Sequence, residues 1–392
     1  MAAGVLKQAR RSYLDFNATA PLRPDAREAC RAALDLTGNP SSIHAEGRAA
    51  RAVVEQARAA VAELAGVSPR GVTFTASGTE AANLVLTPAI AYGRAPPTRL
   101  IASAGEHSCV LNGHRFLPAA VQRAPLRGDG RIDLGALARM IGQGEGPVML
   151  ALQGANNETG VIQPVAEAAA LVHAAGGIVV CDAVQLAGRA SVKAGELGAD
   201  FLVLSAHKLG GPKGAGALAA ASPGVTVGAP LLRGGGQERG LRAGTENVAA
   251  IAGFGAAARA ALGEIEGEAA RLEKLREALA AQVLSAAPDA VIFGVSAPRL
   301  PNTLCFAAPG IGAETLVIAL DLAGIAVSSG AACSSGKVAR SHVLEAMRVD
   351  PELAAGAIRL SLGWSSDEAD VAHFGEAFGR IAANIRRGRS AA

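Results

Sequence analysis

The chain predicts an α/β protein: a large domain with a mostly parallel sheet sandwiched by helices, followed by a smaller α/β domain. Three observations carry this. Short apolar runs alternate with longer helix-like stretches from about residue 72 to residue 220, the order expected of parallel strands joined by helical crossovers. Half of the 392 residues are apolar, enough for a sizeable core, and the length suggests two domains. After Gly244 the pattern changes to a long alanine-rich stretch that reaches Leu284.

The candidate strands are 72–75, 100–103, 148–152, 178–181 and 201–204, apolar runs bounded by turn-forming residues. Helical patterns lie between them, 81–90 and 164–175 among them, and 142–147 reads as a surface loop. Gly263 and Gly267 are expected to break the alanine-rich helix. The shift in pattern puts a domain boundary near residue 260. It divides a large domain, 15–258, from a small βαβ-like one, 259–392, which residues 1–14 join. The basic run Arg386-Arg387-Gly388-Arg389 reads as a frayed terminus.

Aromatics make up only 3% of the chain, against 48 glycines, so small residues are expected to pack helices against the sheet. A net charge of +3 gives no extended nucleic-acid footprint. Met1 to Leu6 form no apolar core of signal-peptide length, and no run approaches ~20 uninterrupted apolar residues. The expectation is a cytoplasmic protein without a membrane partner. Five cysteines, Cys30, Cys109, Cys181, Cys305 and Cys333, are an odd number without C-x-x-C spacing, which argues against a disulfide framework or a zinc site. Cys181 and Cys305 sit in apolar runs and read as core residues.

The residues that carry chemistry begin with Lys208, in Ser205-Ala206-His207-Lys208-Leu209-Gly210-Gly211, and Asp182, in Cys181-Asp182-Ala183-Val184-Gln185. Each stands at the end of one of two consecutive apolar runs. If those runs are neighbouring strands, both side chains reach one site at the carboxyl ends, where open α/β sheets bind ligands. Pyridoxal phosphate needs a lysine to hold its aldehyde and an acid to keep its ring nitrogen protonated. Ala76-Ser77-Gly78-Thr79-Glu80 follows a strand and opens a helix, offering N–H groups, a favourable dipole and hydroxyls to a phosphate. Ser77 and Glu80 also have capping-box spacing, and the two uses are compatible. Small, flexible residues flank Cys333 in Ser328-Ser329-Gly330-Ala331-Ala332-Cys333-Ser334-Ser335-Gly336, unlike a packed strand.

Further motifs span nearly the whole chain: Tyr13-Leu14-Asp15-Phe16-Asn17, Asn39-Pro40-Ser41-Ser42, Glu106-His107, Asn156-Asn157-Glu158-Thr159-Gly160, Gly236-Gln237-Glu238-Arg239-Gly240-Leu241-Arg242-Ala243-Gly244-Thr245 and Arg359-Leu360-Ser361. In this order they resemble the cysteine desulfurases of the iron-sulfur-cluster-assembly type, in the class V aminotransferase group of pyridoxal-phosphate enzymes. The resemblance implies the aminotransferase-like fold and a homodimer. It also implies conversion of L-cysteine to L-alanine, with the sulfur held as a persulfide on Cys333 and passed to a sulfur-acceptor or iron-sulfur scaffold protein. Site roles follow residue by residue. Gly78, Thr79, Ser205 and His207 take the phosphate, and Thr245 reaches the cofactor of the opposite subunit. His107 stacks on the ring and carries protons, Asp182 faces the ring nitrogen, and Asn157 and Gln185 serve the phenolic oxygen and its surroundings. Arg359 takes the substrate carboxylate, with Asn157, Asn39 and Asn17 lining the pocket, and Cys333 could ligate an iron-sulfur cluster transiently. The chain departs from the family's usual Thr-Ser-Gly-Ala-Thr-Glu at residues 75–80, and has Phe16 and Ala20 where Asn and Thr are common. Without that resemblance, Thr245 reads as a helix cap. A selenocysteine lyase or another class V aminotransferase would share the lysine site, and a cofactor-bound adaptor for assembly partners is a further alternative.

Overall fold

In a computed structural model the chain is described over residues 10–91, 95–222, 226–330 and 340–390. Seven strands form the central sheet: β1 (Val72–Thr75), β2 (Arg99–Ser103), β3 (Val121–Ala124), β4 (Val148–Gln153), β5 (Ile178–Asp182), β6 (Phe201–Ser205) and β7 (Gly216–Ala220). Their order is β1-β7-β6-β5-β4-β2-β3. β7 runs antiparallel to both neighbours, and the pairings from β6 to β3 are all parallel. All five expected strands are present. β3 and β7 are additions.

Strand residues alternate between two cores. Leu150, Val179, Cys181, Leu202 and Leu204 face one side, packed with residues of the helix Ala45–Ala65 and of the helix Val165–Ala174. Met149, Ile178, Val180, Phe201 and Val203 face the other, under the helix Gly78–Val85. A sheet covered on both faces explains why these strands read as continuous apolar runs.

One helix of 39 residues, Val248–Ala286, runs straight through Gly263 and Gly267, correcting the expected break. Two glycines cost a helix about 1 kcal/mol each relative to alanine, and here both flanks are anchored. The first half contributes Ile251, Phe254 and Ala257 to one core, and the second half contributes Leu272, Leu275, Leu279 and Val283 to another. By length and composition this helix could cross a membrane, but more than half of its apolar window is buried in the fold. Small residues set its packing. A Cβ on Gly253 would lie 2.3 Å from Cys30 Sγ, and one on Gly255 would lie 2.5 Å from Ala57 Cα.

The second core is roofed by a four-stranded sheet in the order Val291–Ile292, Thr303–Ala307, Ile358–Ser361, Ser328–Ser329, in which every neighbouring pair is antiparallel. The expected βαβ unit is therefore split: Thr303–Ala307 and Ser328–Ser329 point the same way with Ile358–Ser361 between them. Ser12–Tyr13 pairs with Ile325–Ala326, which brings Leu14 into this core. The basic run 386–389 is not frayed but continues the helix Glu368–Ser390, with Arg386 paired to Asp289.

Candidate active site

The carboxyl ends of β1, β4, β5 and β6 open onto a cavity of about 370 Å³. Asp182 closes β5 in register with Gln153 of β4 and Val203 of β6, and Lys208 ends the single turn Ala206–Lys208 that follows β6. Gly216 stands opposite both Thr75 and Ser205. A Cβ there would come within 2.3 Å of the Ser77 carbonyl carbon, so only glycine lets β7 pass beneath the loop that enters the helix Gly78–Val85. Ser77 Oγ accepts from Glu80 N at 3.1 Å, and Glu80 Oε2 accepts from Ala76 N at 2.8 Å. The cap on Ser77, with Glu80 reaching one residue further back than a capping box would, fixes the helix amino end, and Gly78 and Thr79 line the cavity beside it.

Lys208 Nζ donates to the carbonyls of Asn17 at 2.6 Å and Ala18 at 3.0 Å. Asp182 Oδ1 accepts from Val184 N at 3.0 Å. Burial pushes its carboxyl above the usual range, with His107 and Lys208 acting the other way. Glu106, buried close by, is likewise pushed up, by burial and then by the charge of Asp182. Its Oε1 accepts from Gln153 N at 2.6 Å.

His107 caps the short helix Ser108–Leu111, and its Nδ1 accepts from Cys109 N at 3.1 Å. Burial lowers its pKa, so the ring is neutral near pH 7 with its proton on Nε2. His207, bonded through Nδ1 to Thr19 Oγ1 at 3.1 Å, is pushed down to about 4, mainly by burial. Arg359 is 1% exposed. Its Nη2 pairs with Asp15 Oδ1 at 2.7 Å, and its Nη1 donates to Asn157 O at 2.9 Å. Its Nε is buried without an acceptor among the described residues.

Of the site residues the sequence singles out, the cavity gathers Asn17, Gly78, Thr79, His107, Asn157, Asp182, Gln185, Ser205, His207, Lys208 and Arg359. Asn39 is exposed outside it, its Oδ1 accepting from Ser41 N at 2.9 Å. Thr245 is also exposed and outside it. The helix beginning at Val248 is capped by Asn247, whose side chain accepts from Ala250 N at 3.1 Å, which corrects the cap reading of Thr245. Cys333 lies outside the described residues. Among those described, no cluster of three or more His, Cys, Asp or Glu is arranged to hold a metal ion. The sequence reading overlooked Gln153, Ser108 and Cys109 in the lining, and Asp15 as the partner of Arg359.

The donor set fits pyridoxal phosphate. An amine, a half-buried acid, a helix amino end flanked by Ser205, and an imidazole meet in one cavity with a guanidinium whose Nε has no acceptor among the described residues.

Residues 12–374 match the family described as aminotransferase class-V. The chain belongs to this family. It groups with the family's cysteine desulfurases. The cysteine desulfurase of Cereibacter sphaeroides is 42% identical over 369 residues, covering 92% of this chain and 93% of that one. The IscS-like cysteine desulfurase of Mycobacterium tuberculosis is 38% identical over 390 residues, covering 97% and 98%. Among solved structures, the NifS-like protein from Rickettsia africae superimposes with a TM-score of 0.86 at 35% identity, covering 95% of this chain and 99% of that one. Members of this group depend on pyridoxal phosphate, and this chain does so too.

Glu158, in Asn156-Asn157-Glu158, lies beneath the site. It is buried, accepts from Ser341 Oγ, and is pushed up to about 7 by burial. A carboxyl raised on folding favours the folded state below its unfolded pKa of about 4.5, and that contribution disappears as pH rises through 7. Glu158→Gln removes the titration. Its stability relative to wild type should improve by roughly 3 kcal/mol between pH 4.5 and pH 8, because moving a pKa by one pH unit is worth about 1.4 kcal/mol. Urea midpoints at the two pH values measure this, and parallel curves for the two proteins would refute the assignment.

Proposed function

We propose that this protein is a pyridoxal-phosphate-dependent cysteine desulfurase that converts L-cysteine to L-alanine and holds the sulfur as a persulfide on Cys333. An acceptor or scaffold protein would then take the sulfur for iron-sulfur cluster assembly or thiolation. The observation that carries this reading is the meeting of Lys208, Asp182, His107 and Arg359 in one cavity beside the helix amino end at Gly78.

Gly78, Thr79, Ser205 and His207 would hold the cofactor's phosphate, Asp182 would face its ring nitrogen, His107 would stack on the ring, and Asn157 and Gln185 would attend its phenolic oxygen. When bound, the cofactor supplies an aldehyde for amine capture and a ring that withdraws electrons from the substrate's α-carbon. The protein's residues do the rest. Arg359 binds the substrate carboxylate, using Nε and the guanidinium hydrogens that Asp15 and Asn157 leave free. Asn17 completes the substrate side in this reading; Asn39, exposed outside the cavity, does not. Lys208 Nζ, aimed by two carbonyls, takes the α-proton. His107 relays a proton through Nε2, since Nδ1 is occupied by Cys109 N. The Cys333 thiolate attacks the substrate sulfur: its S–S bond forms as the carbon–sulfur bond breaks, and the electron pair stays with the carbon that becomes alanine.

The working unit in this reading is a cytoplasmic homodimer in which Thr245 reaches the other subunit's cofactor. The exposure of Thr245 outside its own chain's cavity supports this. We also propose a division into 15–258 and 259–392, with residues 1–14 joined to the latter. The change of core along Val248–Ala286 supports it. The test is product analysis with L-cysteine and a reductant. Alanine and sulfide should appear in equal amounts, and a keto acid in place of alanine would overturn the reading.

A further inference from the structure

Behind the cavity wall lies a buried cation that the mechanism above does not use. Arg189 is 7% exposed. Its Nη1 donates to Gln185 O at 2.7 Å and to Gln185 Oε1 at 3.1 Å, and its Nη2 donates to Lys208 O at 3.2 Å. All three acceptors are neutral oxygens, and among the described residues no carboxylate pairs with it. Gly188, at φ +75°, reverses the chain so that the arginine turns back toward Gln185. Burial, and then the charge of Arg359, lower its pKa to about 10, so it still carries its charge at neutral pH. A buried guanidinium without a counter-ion is costly unless its hydrogen bonds are well made.

The consequence falls on Gln185. An amide can present either an oxygen or an N–H to a ligand. Here Oε1 is taken by Arg189, and Nε2 donates one hydrogen to Asn17 O at 3.0 Å. The second Nε2 hydrogen is the donor that remains to offer, while Oε1 is held on Arg189 with one lone pair unused. The same Asn17 carbonyl accepts from Lys208 Nζ, so one network aligns the amide, the amine and the arginine.

We propose that Arg189 is a positioning residue: it locks the Gln185 amide donor-first toward the cofactor's phenolic oxygen and steadies the backbone of Lys208. This rests on the reading that Gln185 serves that oxygen. A donor held there favours the oxygen anion, so loss of the lock makes the bound cofactor easier to protonate.

The test is a pH titration of the holoenzyme's visible absorbance, with melting curves, for wild type, Arg189→Met, Arg189→Lys, Gln185→Ala and the double variant Arg189→Met/Gln185→Ala. Asp182, His107, His207, Lys208, Arg359 and Cys109, the other charged or titratable groups among the described residues lining the cavity, are the same in every protein. Gln185→Ala and Arg189→Met should each raise the midpoint by about one pH unit, the effect of one hydrogen bond to a charged oxygen. In the Gln185→Ala background, Arg189→Met should add nothing. Arg189→Lys, which keeps the charge but loses the planar fork, should also raise the midpoint, and it serves as the test if the methionine variant does not fold. An equal shift in both backgrounds would mean that the charge acts directly and would overturn the positioning role, as would an unshifted Arg189→Lys or Arg189→Met. An unshifted Gln185→Ala would instead overturn the reading of Gln185 on which the inference stands.

Discussion

Replacing Lys208 with alanine should abolish turnover of cysteine and, in the same protein, the visible absorbance band of the bound cofactor. Lys208 is the one lysine among the described residues lining the cavity, and its Nζ is already aimed there by the carbonyls of Asn17 and Ala18. On the proposed role of Lys208, two functions are lost together. The first is the amine that joins the cofactor's aldehyde, which no alanine replaces. The second is the base that moves the substrate α-proton, worth about 10²–10⁴-fold alone. Fold stability should change little, because the lysine is only partly buried and stands at the wall of an open cavity. The measurements are an absorbance spectrum and an alanine assay, and turnover within tenfold of wild type would remove Lys208 from its assigned role.

Cys333→Ser should separate cofactor chemistry from sulfur chemistry. None of the described cavity residues is altered, so the variant should bind pyridoxal phosphate and still change its spectrum on adding cysteine. Sulfur release should fall by at least about a hundredfold, because a hydroxyl holds its proton far more tightly than a thiol and is a poor nucleophile toward sulfur at neutral pH. Mass spectrometry of wild type given cysteine without reductant should find one added sulfur on the peptide containing Cys333. Four other cysteines compete as locations. Cys181 and Cys305 are buried, with their thiols pushed up by burial, whereas Cys109 lines the cavity. Sulfur on Cys109, or alanine formed by Cys333→Ser at the wild-type rate, would redirect the mechanism.

Much of the fold was legible because its strands are buried on both faces and read as apolar runs. The two overlooked strands lack that signature for different reasons. Val121–Ala124 is an edge strand whose Gln122 and Arg123 are exposed, and Gly216–Ala220 is built of small residues around one leucine that pass close under a loop. Lys208 and Asp182 were legible as strand-end residues, and the structure brings them to one cavity. The Arg359–Asp15 pair joins positions 344 apart in the chain, a closeness that no local pattern encodes. The glycines at 263 and 267 misled for a similar reason. Local propensity argues for a break there, but packing at both ends of the helix decides otherwise.

That pairing of Asp15 with Arg359 also bears on how an incoming amino acid meets the site. The cation that would receive a carboxylate already has one, and Ser328 Oγ donates to the same Asp15 oxygen at 2.9 Å. An incoming carboxylate would therefore share the cation with a resident acid, taking the hydrogens that Asp15 and Asn157 leave free, instead of meeting a bare charge. The guanidinium keeps its orientation between visitors, and a weakly held anion gains less by entering than it would at an unpaired arginine. On the proposed role of Arg359, selectivity among small anions would in this way be set before any of them touches the amine.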